Sequence, residues 1–186
     1  MIQAIQSIAV FCGSKNGNND LFAIHARQLG RLLAEGGYRL VYGGGGKGLM
    51  GAVADASLAA GGTVIGVIPQ HLRSWEHQHD GLTELHVVPD MHVRKKMMYE
   101  LCDAAIILPG GFGTMDELFE MLTWNQLAIH DKPIYVLNSG GYYSDLFQMM
   151  QRMQQQGFLY DPVSERVGIY DLPQTLMLQI DKFGKA

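Results

Sequence analysis

Ala104-Ala105-Ile106-Ile107-Leu108-Pro109-Gly110-Gly111-Phe112-Gly113-Thr114-Met115-Asp116-Glu117 passes from an apolar run, through a proline and three glycines, into a segment with helical spacing. A short apolar run bounded by Pro and Gly reads as a strand buried on both faces, the kind found where helices cover a parallel sheet. Glycines without side chains let backbone N–H groups approach an anion. A helix opening behind them adds unpaired donors and the favourable end of a dipole. The stretch therefore predicts a strand over 104–108, a phosphate-binding turn, and a helix ending near residue 129.

The same pattern recurs on either side. Apolar runs at 7–12, 38–42, 63–68, 85–88 and 133–138 are each bounded by Gly, Pro, Asp or Asn. Between most of them lie stretches with helical spacing, such as Leu21-Ile24-Gln28-Leu32 and Met97-Met98-Leu101. Strand alternating with amphipathic helix gives an α/β fold, a doubly wound parallel sheet with helices on both faces. A helix over 142–156, a short strand around 166–169 and a closing helix near 173–182 complete it. The polar, histidine-rich segment 71–82 reads as a long loop near the site. With 186 residues, 47% hydrophobic and 17% charged, and no linker or repeat, the chain reads as a single domain.

Composition excludes several classes of function. A formal charge of −4, with no basic cluster longer than Arg94-Lys95-Lys96, argues against a nucleic-acid partner. No run approaches the roughly 18 apolar residues of a membrane span, and the first residues lack the charged start of an export signal. Cys12 and Cys102 both sit in contexts that favour buried thiols, which fits a cytoplasmic location. No serine occupies a GxSxG elbow, so acyl transfer is unsupported. His77 and His79, with Glu76 and Asp80, have no second liganding cluster at a recognised spacing, so neither a metal site nor a cofactor is expected.

Ligands of open parallel sheets bind beyond the carboxyl ends of strands, which makes Gly13-Ser14 and the two glycine-rich turns the places to search. The first turn, residues 42–51, formally contains GxGxxG. A dinucleotide site would also need an acid near the end of the next strand, where Val67-Ile68-Pro69-Gln70 stands. A P-loop would need Ser or Thr after Lys47, where Gly48 stands. Gly43, Gly44 and Gly45 are left as phosphate-loop candidates or as a tight turn for helix–sheet packing.

Two charged residues need a reason. Arg94 starts the apolar stripe Met97, Met98, Leu101, and a cation there asks for an anion. Glu117 shares a helical stripe with Met121, Trp124 and Ala128, over the buried side. Thr114 and Glu117 also have the spacing of a capping box, which satisfies the N–H groups of a helix start without any catalysis. If both helices begin at the carboxyl ends of neighbouring strands, Arg94 and Glu117 converge on the glycine turn. They then form either a catalytic pair or a structural ion pair.

The run from Pro109 to Glu117 resembles the PGGxGTxxE signature of the LOG family of cytokinin riboside 5′-monophosphate phosphoribohydrolases. Val10-Phe11-Cys12-Gly13-Ser14, Val41-Tyr42-Gly43-Gly44-Gly45, Gly48-Leu49-Met50-Gly51, Val67-Ile68-Pro69, Asp90-Met91-His92-x-Arg94-Lys95 and Thr123-Trp124-x-Gln126-Leu127 are similar to that family in order and spacing. The resemblance implies a Rossmann-like homodimer that hydrolyses the N-glycosidic bond of a nucleoside 5′-monophosphate, releasing the base and ribose 5-phosphate. It implies that Arg94 and Glu117 are catalytic. It also implies that Glu76, Lys95, Gly110, Gly111, Phe112, Gly113, Thr114, Met115, Asp116 and Thr123 bind substrate, either AMP or N6-isopentenyl-AMP. Relatives often carry a lysine decarboxylase label. That reaction would want a pyridoxal Schiff-base lysine, and Lys95-Lys96 at a helix start is not such a setting.

Overall fold

Seven strands pair in the order β4-β3-β2-β1-β5-β6-β7, every neighbouring pair parallel. They are β1 (Ser7–Phe11), β2 (Arg39–Tyr42), β3 (Val64–Pro69), β4 (Glu84–Val88), β5 (Ala104–Ile107), β6 (Ile134–Leu137) and β7 (Gly168–Tyr170). The helices are α1 (Asp20–Glu35), α2 (Gly48–Ala59), α3 (Met91–Leu101), α4 (Phe112–Gln126), α5 (Ser144–Gln155), α6 (Val163–Arg166) and α7 (Pro173–Gly184). The structure, a computed structural model, describes residues 4–73 and 77–184.

Side chains alternate across the sheet and build a core on each face. In central β1, Ile8 and Val10 enter the core shared with Leu29 and Leu33 of α1, Leu49 of α2 and Leu176 of α7. Ala9 and Phe11 enter the opposite core, with Met98 of α3, Leu118 of α4 and Phe147 of α5. Each fully buried leucine or isoleucine contributes about 1.5–3 kcal/mol. This two-sided burial is why the strands read as continuous apolar runs. No helix among the described residues is long and apolar enough to cross a membrane.

The chain steps outward from β1 to β4, and α3 then carries it back to β5 on the other side of β1. Connections leave β1 and β5 in opposite directions, which opens a crevice at their carboxyl ends. The pairings Val10 with Tyr42 and Phe11 with Ile107 keep β1, β2 and β5 level there.

Three local expectations change. The buried face of α1 is His25, Ala26, Leu29, Gly30 and Leu33, rotated from the stripe Leu21-Ile24-Gln28-Leu32, and Ile24 is 41% exposed. A methyl group on Gly30 would collide with the Val53 carbonyl of α2, so small residues mark the helix seam. Next, α4 opens at Phe112 with Gly111 as its N-cap, which leaves Thr114 inside the first turn and removes the capping-box reading. The helix ends at Gln126, and Ala128 turns into the left-handed region with φ 55°, short of residue 129. Finally, 163–166 is a short helix, and the edge strand follows it at Gly168–Tyr170.

Candidate active site

A cleft of about 270 Å³ lies over the crevice between β1 and β5. Gly13 and Ser14 after β1, Gly43 after β2, Arg94 on α3, and Gly111, Phe112, Gly113, Thr114 and Glu117 at the start of α4 wall its polar side. Val10, Met50, Leu72 and Met91 supply apolar walls. Separate stretches of sequence therefore meet here, as expected at a topological switch point.

Arg94 arrives through a capped helix start. The Asp90 carboxylate caps α3 by accepting from the Val93 N–H at 2.9 Å. Arg94 then falls on the first turn, facing the end of β2. Its Nη2 donates to the Gly43 carbonyl at 3.0 Å, and Nη1 lies 3.7 Å from the Met91 sulfur. The residue is only 4% exposed. The guanidinium places a positive charge in the wall. Gly43 is glycine for a steric reason, since a Cβ there would run into the guanidinium.

The first turn of α4 supplies the other wall. No side chain caps it, so the N–H groups of Phe112, Gly113 and Thr114 have no intrahelical acceptor and lie at the positive end of the dipole. Thr114 is 3% exposed and Phe112 96% exposed, so the loop's aromatic ring stands at the open mouth. The buried stripe of α4 is Thr114, Leu118, Met121 and Asn125, one step round from the stripe read with Trp124 and Ala128. Glu117 sits half-buried beside that stripe and faces the cleft.

The other expected residues divide. The Lys95 ammonium, 12% exposed, lies 3.0 Å from Asp116 and 3.0 Å from Glu120, so it ties α3 to α4. Burial pulls the Lys95 ammonium down, but the hydrogen bonds and charges of Glu120 and Asp116 raise it overall, so it stays charged. Met115 packs against the core. Thr123 opens onto a different, apolar cleft of about 180 Å³ with Phe119, Leu122 and Met150. Gly110 walls a neighbouring cleft rather than this one.

Gly44 and Gly45 belong to a small ladder. The Gly46 N–H donates to the His77 carbonyl at 2.6 Å, the His79 N–H to the Gly44 carbonyl at 3.0 Å, and Gly45 bridges Gln78. Residues 77–79 are thus pinned onto the β2 turn, and Leu72 stands in the cleft wall. Glu76 lies outside the described residues. Side chains reinforce the pinning, with Lys47 Nζ and His77 Nε2 2.6 Å apart, and His79 Nε2 and Asp55 2.9 Å apart. Among the described residues no three His, Cys, Asp or Glu are placed to hold a metal ion. Both cysteines are buried thiols, and burial pushes Cys102 up to about 11.

The family model described as possible lysine decarboxylase matches residues 50–180. The chain is 47% identical over 163 residues to the cytokinin riboside 5′-monophosphate phosphoribohydrolase of Rhodococcoides fascians, covering 87% of this chain and 82% of that one. The chain belongs to the LOG family. A LOG relative of the same name in Arabidopsis thaliana is 45% identical over 152 residues, covering 82% of this chain and 71% of the relative. The Moco carrier protein of Chlamydomonas reinhardtii superposes with a TM-score of 0.75 at 19% identity, covering 96% of both chains, a likeness of fold alone. The matched range 50–180 takes in Arg94 and the turn leading to Glu117, both of which wall the cleft.

Sequence reasoning missed Met50, Leu72 and Met91 in the cleft wall. It also missed Tyr142 and Tyr143, whose hydroxyls donate to the Gly110 carbonyl at 2.6 Å and the Leu108 carbonyl at 2.7 Å. Methionines and a leucine at helical spacing look the same whether they wall a cleft or a core. The paired tyrosines at the head of a helical stretch were the one available signal.

Proposed function

We propose that this chain hydrolyses the N-glycosidic bond of a purine nucleoside 5′-monophosphate, giving the free base and ribose 5-phosphate. The observation that carries the reading is the buried Arg94 and the cleft-facing Glu117 on two walls of one cleft, beside the uncapped first turn of α4. The names of the LOG relatives support the reaction class.

The 5′-phosphate lies against the N–H groups of Gly111, Gly113 and Thr114, with the dipole of α4 behind them. Arg94 holds the ribose or phosphate so that C1′ is fixed relative to Glu117. As the bond from C1′ to the base nitrogen lengthens, positive charge builds on the sugar, and the Glu117 carboxylate stabilises it. Glu117 also orients a water and draws its proton as the oxygen bonds to C1′. The bond pair leaves with the base, which takes up one proton, so water is divided between the two products. Met50, Leu72 and Met91 offer apolar contact to a flat base. The protein acts as one cytoplasmic domain without a resident metal or cofactor. It works as a homodimer, a reading supported by the apolar cleft beside Thr123, which Leu122, Met150 and the 36% exposed Phe119 line.

The test compares AMP, N6-isopentenyl-AMP and adenosine as substrates without added metal. Base release from either nucleotide, at a kcat/KM well above that for adenosine, supports the reading, and the ratio between nucleotides reports base preference. Bound but intact nucleotide would instead make the chain a non-catalytic sensor.

A further inference from the structure

Three successive carbonyls of the glycine turn are each held by a hydrogen bond. The Leu108 carbonyl accepts from the Tyr143 hydroxyl at 2.7 Å, the Pro109 carbonyl from the Gly13 N–H at 3.0 Å, and the Gly110 carbonyl from the Tyr142 hydroxyl at 2.6 Å. In a trans peptide the C=O and N–H point in opposite directions. Gly111 stands on the ridge between two clefts. One is a cleft of about 280 Å³ walled by Tyr142, Pro109 and Gly110, and the other holds Arg94 and Glu117. With the Gly110 carbonyl turned toward Tyr142, the Gly111 N–H is turned toward the other cleft.

That orientation does not hold itself. The peptide joins two glycines, and glycine populates positive and negative φ about equally, so it can flip with little backbone penalty. A flipped peptide would present a carbonyl oxygen, not an N–H, to the anion. Gly111 itself sits at φ −97°.

We propose that Tyr142 is a positioning residue for the phosphate cradle. Its hydroxyl fixes the Gly110–Gly111 peptide with the N–H toward substrate. The proposal rests on the reading of this turn as the place where the 5′-phosphate binds. Tyr142 is itself well braced. Gly140 and Gly141 turn the chain at φ 59° and 75°, the Asn138 side chain accepts from the Tyr143 N–H at 2.7 Å, and the Tyr142 ring meets Phe22 edge-on at 5.4 Å. Tyr143 serves as an internal contrast. The peptide it holds ends in Pro109, which has no N–H to aim, so its bond secures the fold without orienting a donor.

The experiment measures binding of ribose 5-phosphate and of adenosine by calorimetry to the wild-type chain, Tyr142→Phe and Tyr143→Phe, with the melting temperature of each. Tyr142→Phe keeps the ring contacts. It is expected to weaken ribose 5-phosphate by about tenfold, the scale of a hydrogen bond to a charged group, with adenosine and the melting temperature unchanged. Tyr143→Phe is expected to lower the melting temperature and leave ribose 5-phosphate binding near wild type. Equal affinity in Tyr142→Phe and wild type overturns the proposal, as does equal weakening of both ligands, equal weakening by both variants, or no binding of ribose 5-phosphate by the wild type. Wild-type protein that binds ribose 5-phosphate but does not cleave AMP removes the proposed reaction and leaves the positioning role standing.

Discussion

Replacing Gly43 with alanine should disable the cleft without replacing either proposed catalytic side chain. A Cβ at position 43 would overlap the Arg94 guanidinium and lie 3.1 Å from the Met50 sulfur. Gly43 does not occupy the left-handed region, so the backbone itself tolerates alanine. Arg94 is 4% exposed, and its Nη2 donates to the carbonyl of this same residue, so the guanidinium has little room to retreat. Overpacking of this kind costs about 1–3 kcal/mol, a fall of roughly 2–4 °C in melting temperature per kcal/mol for a chain of this size. The effect on activity should be far larger, because a misplacement of about 1 Å can cost on the order of 10²-fold in rate. Base release from AMP would be followed by absorbance, alongside thermal melting. A folded Gly43→Ala protein with kcat/KM within about threefold of wild type would refute the idea that Arg94 must occupy its observed position, given the 10²-fold scale expected.

Other outcomes follow from the same geometry. Glu117→Gln should lower kcat by about 10²-fold or more while the melting temperature holds, because it keeps shape and removes the charge and base; near-normal turnover would remove Glu117 from the chemistry. Lys132→Met should destabilise the protein by roughly 1–3 kcal/mol with activity largely kept, since the Lys132 ammonium donates to the Tyr99 and Cys102 carbonyls at 2.5 and 2.7 Å and covers the Tyr99 ring at 3.9 Å; an unchanged urea midpoint would contradict that role. His25, buried against Ser139 at 2.7 Å, is held below its ordinary value of 6.5 by burial. The unfolded chain therefore takes up this proton more readily, so the His25 contribution is complete above pH 6.5 and is lost as pH falls below it. Urea midpoints at pH 8 and pH 5.5 should converge in His25→Gln relative to wild type, and an identical drop in both proteins would contradict this.

The strand–glycine–helix passage through 104–117 was legible because burial on both faces leaves an unbroken apolar run and the turn needs glycines. Arg94 was legible for a related reason, as a cation on an apolar stripe. The α1 face was not: its spacing offered leucines, whereas the contact with α2 was set by how closely backbones approach at Gly30. Lys95 was equally hidden, since its place depends on Asp116 and Glu120 across a helix pair. Tyr142 and Tyr143 reach carbonyls more than thirty residues earlier, and no local spacing announces such a bond. What the sequence concealed is consistently the tertiary neighbour that decides where a polar side chain turns.

The central claim is that Arg94 and Glu117 serve a glycosidic hydrolysis, and product balance tests it most directly. Wild-type protein and Glu117→Gln would each be incubated with AMP in metal-free buffer, with adenine and ribose 5-phosphate quantified together. The expected result is equal amounts of both products from the wild type and a trace from the variant. Intact AMP after prolonged incubation, or adenine without a matching amount of ribose 5-phosphate, would contradict it.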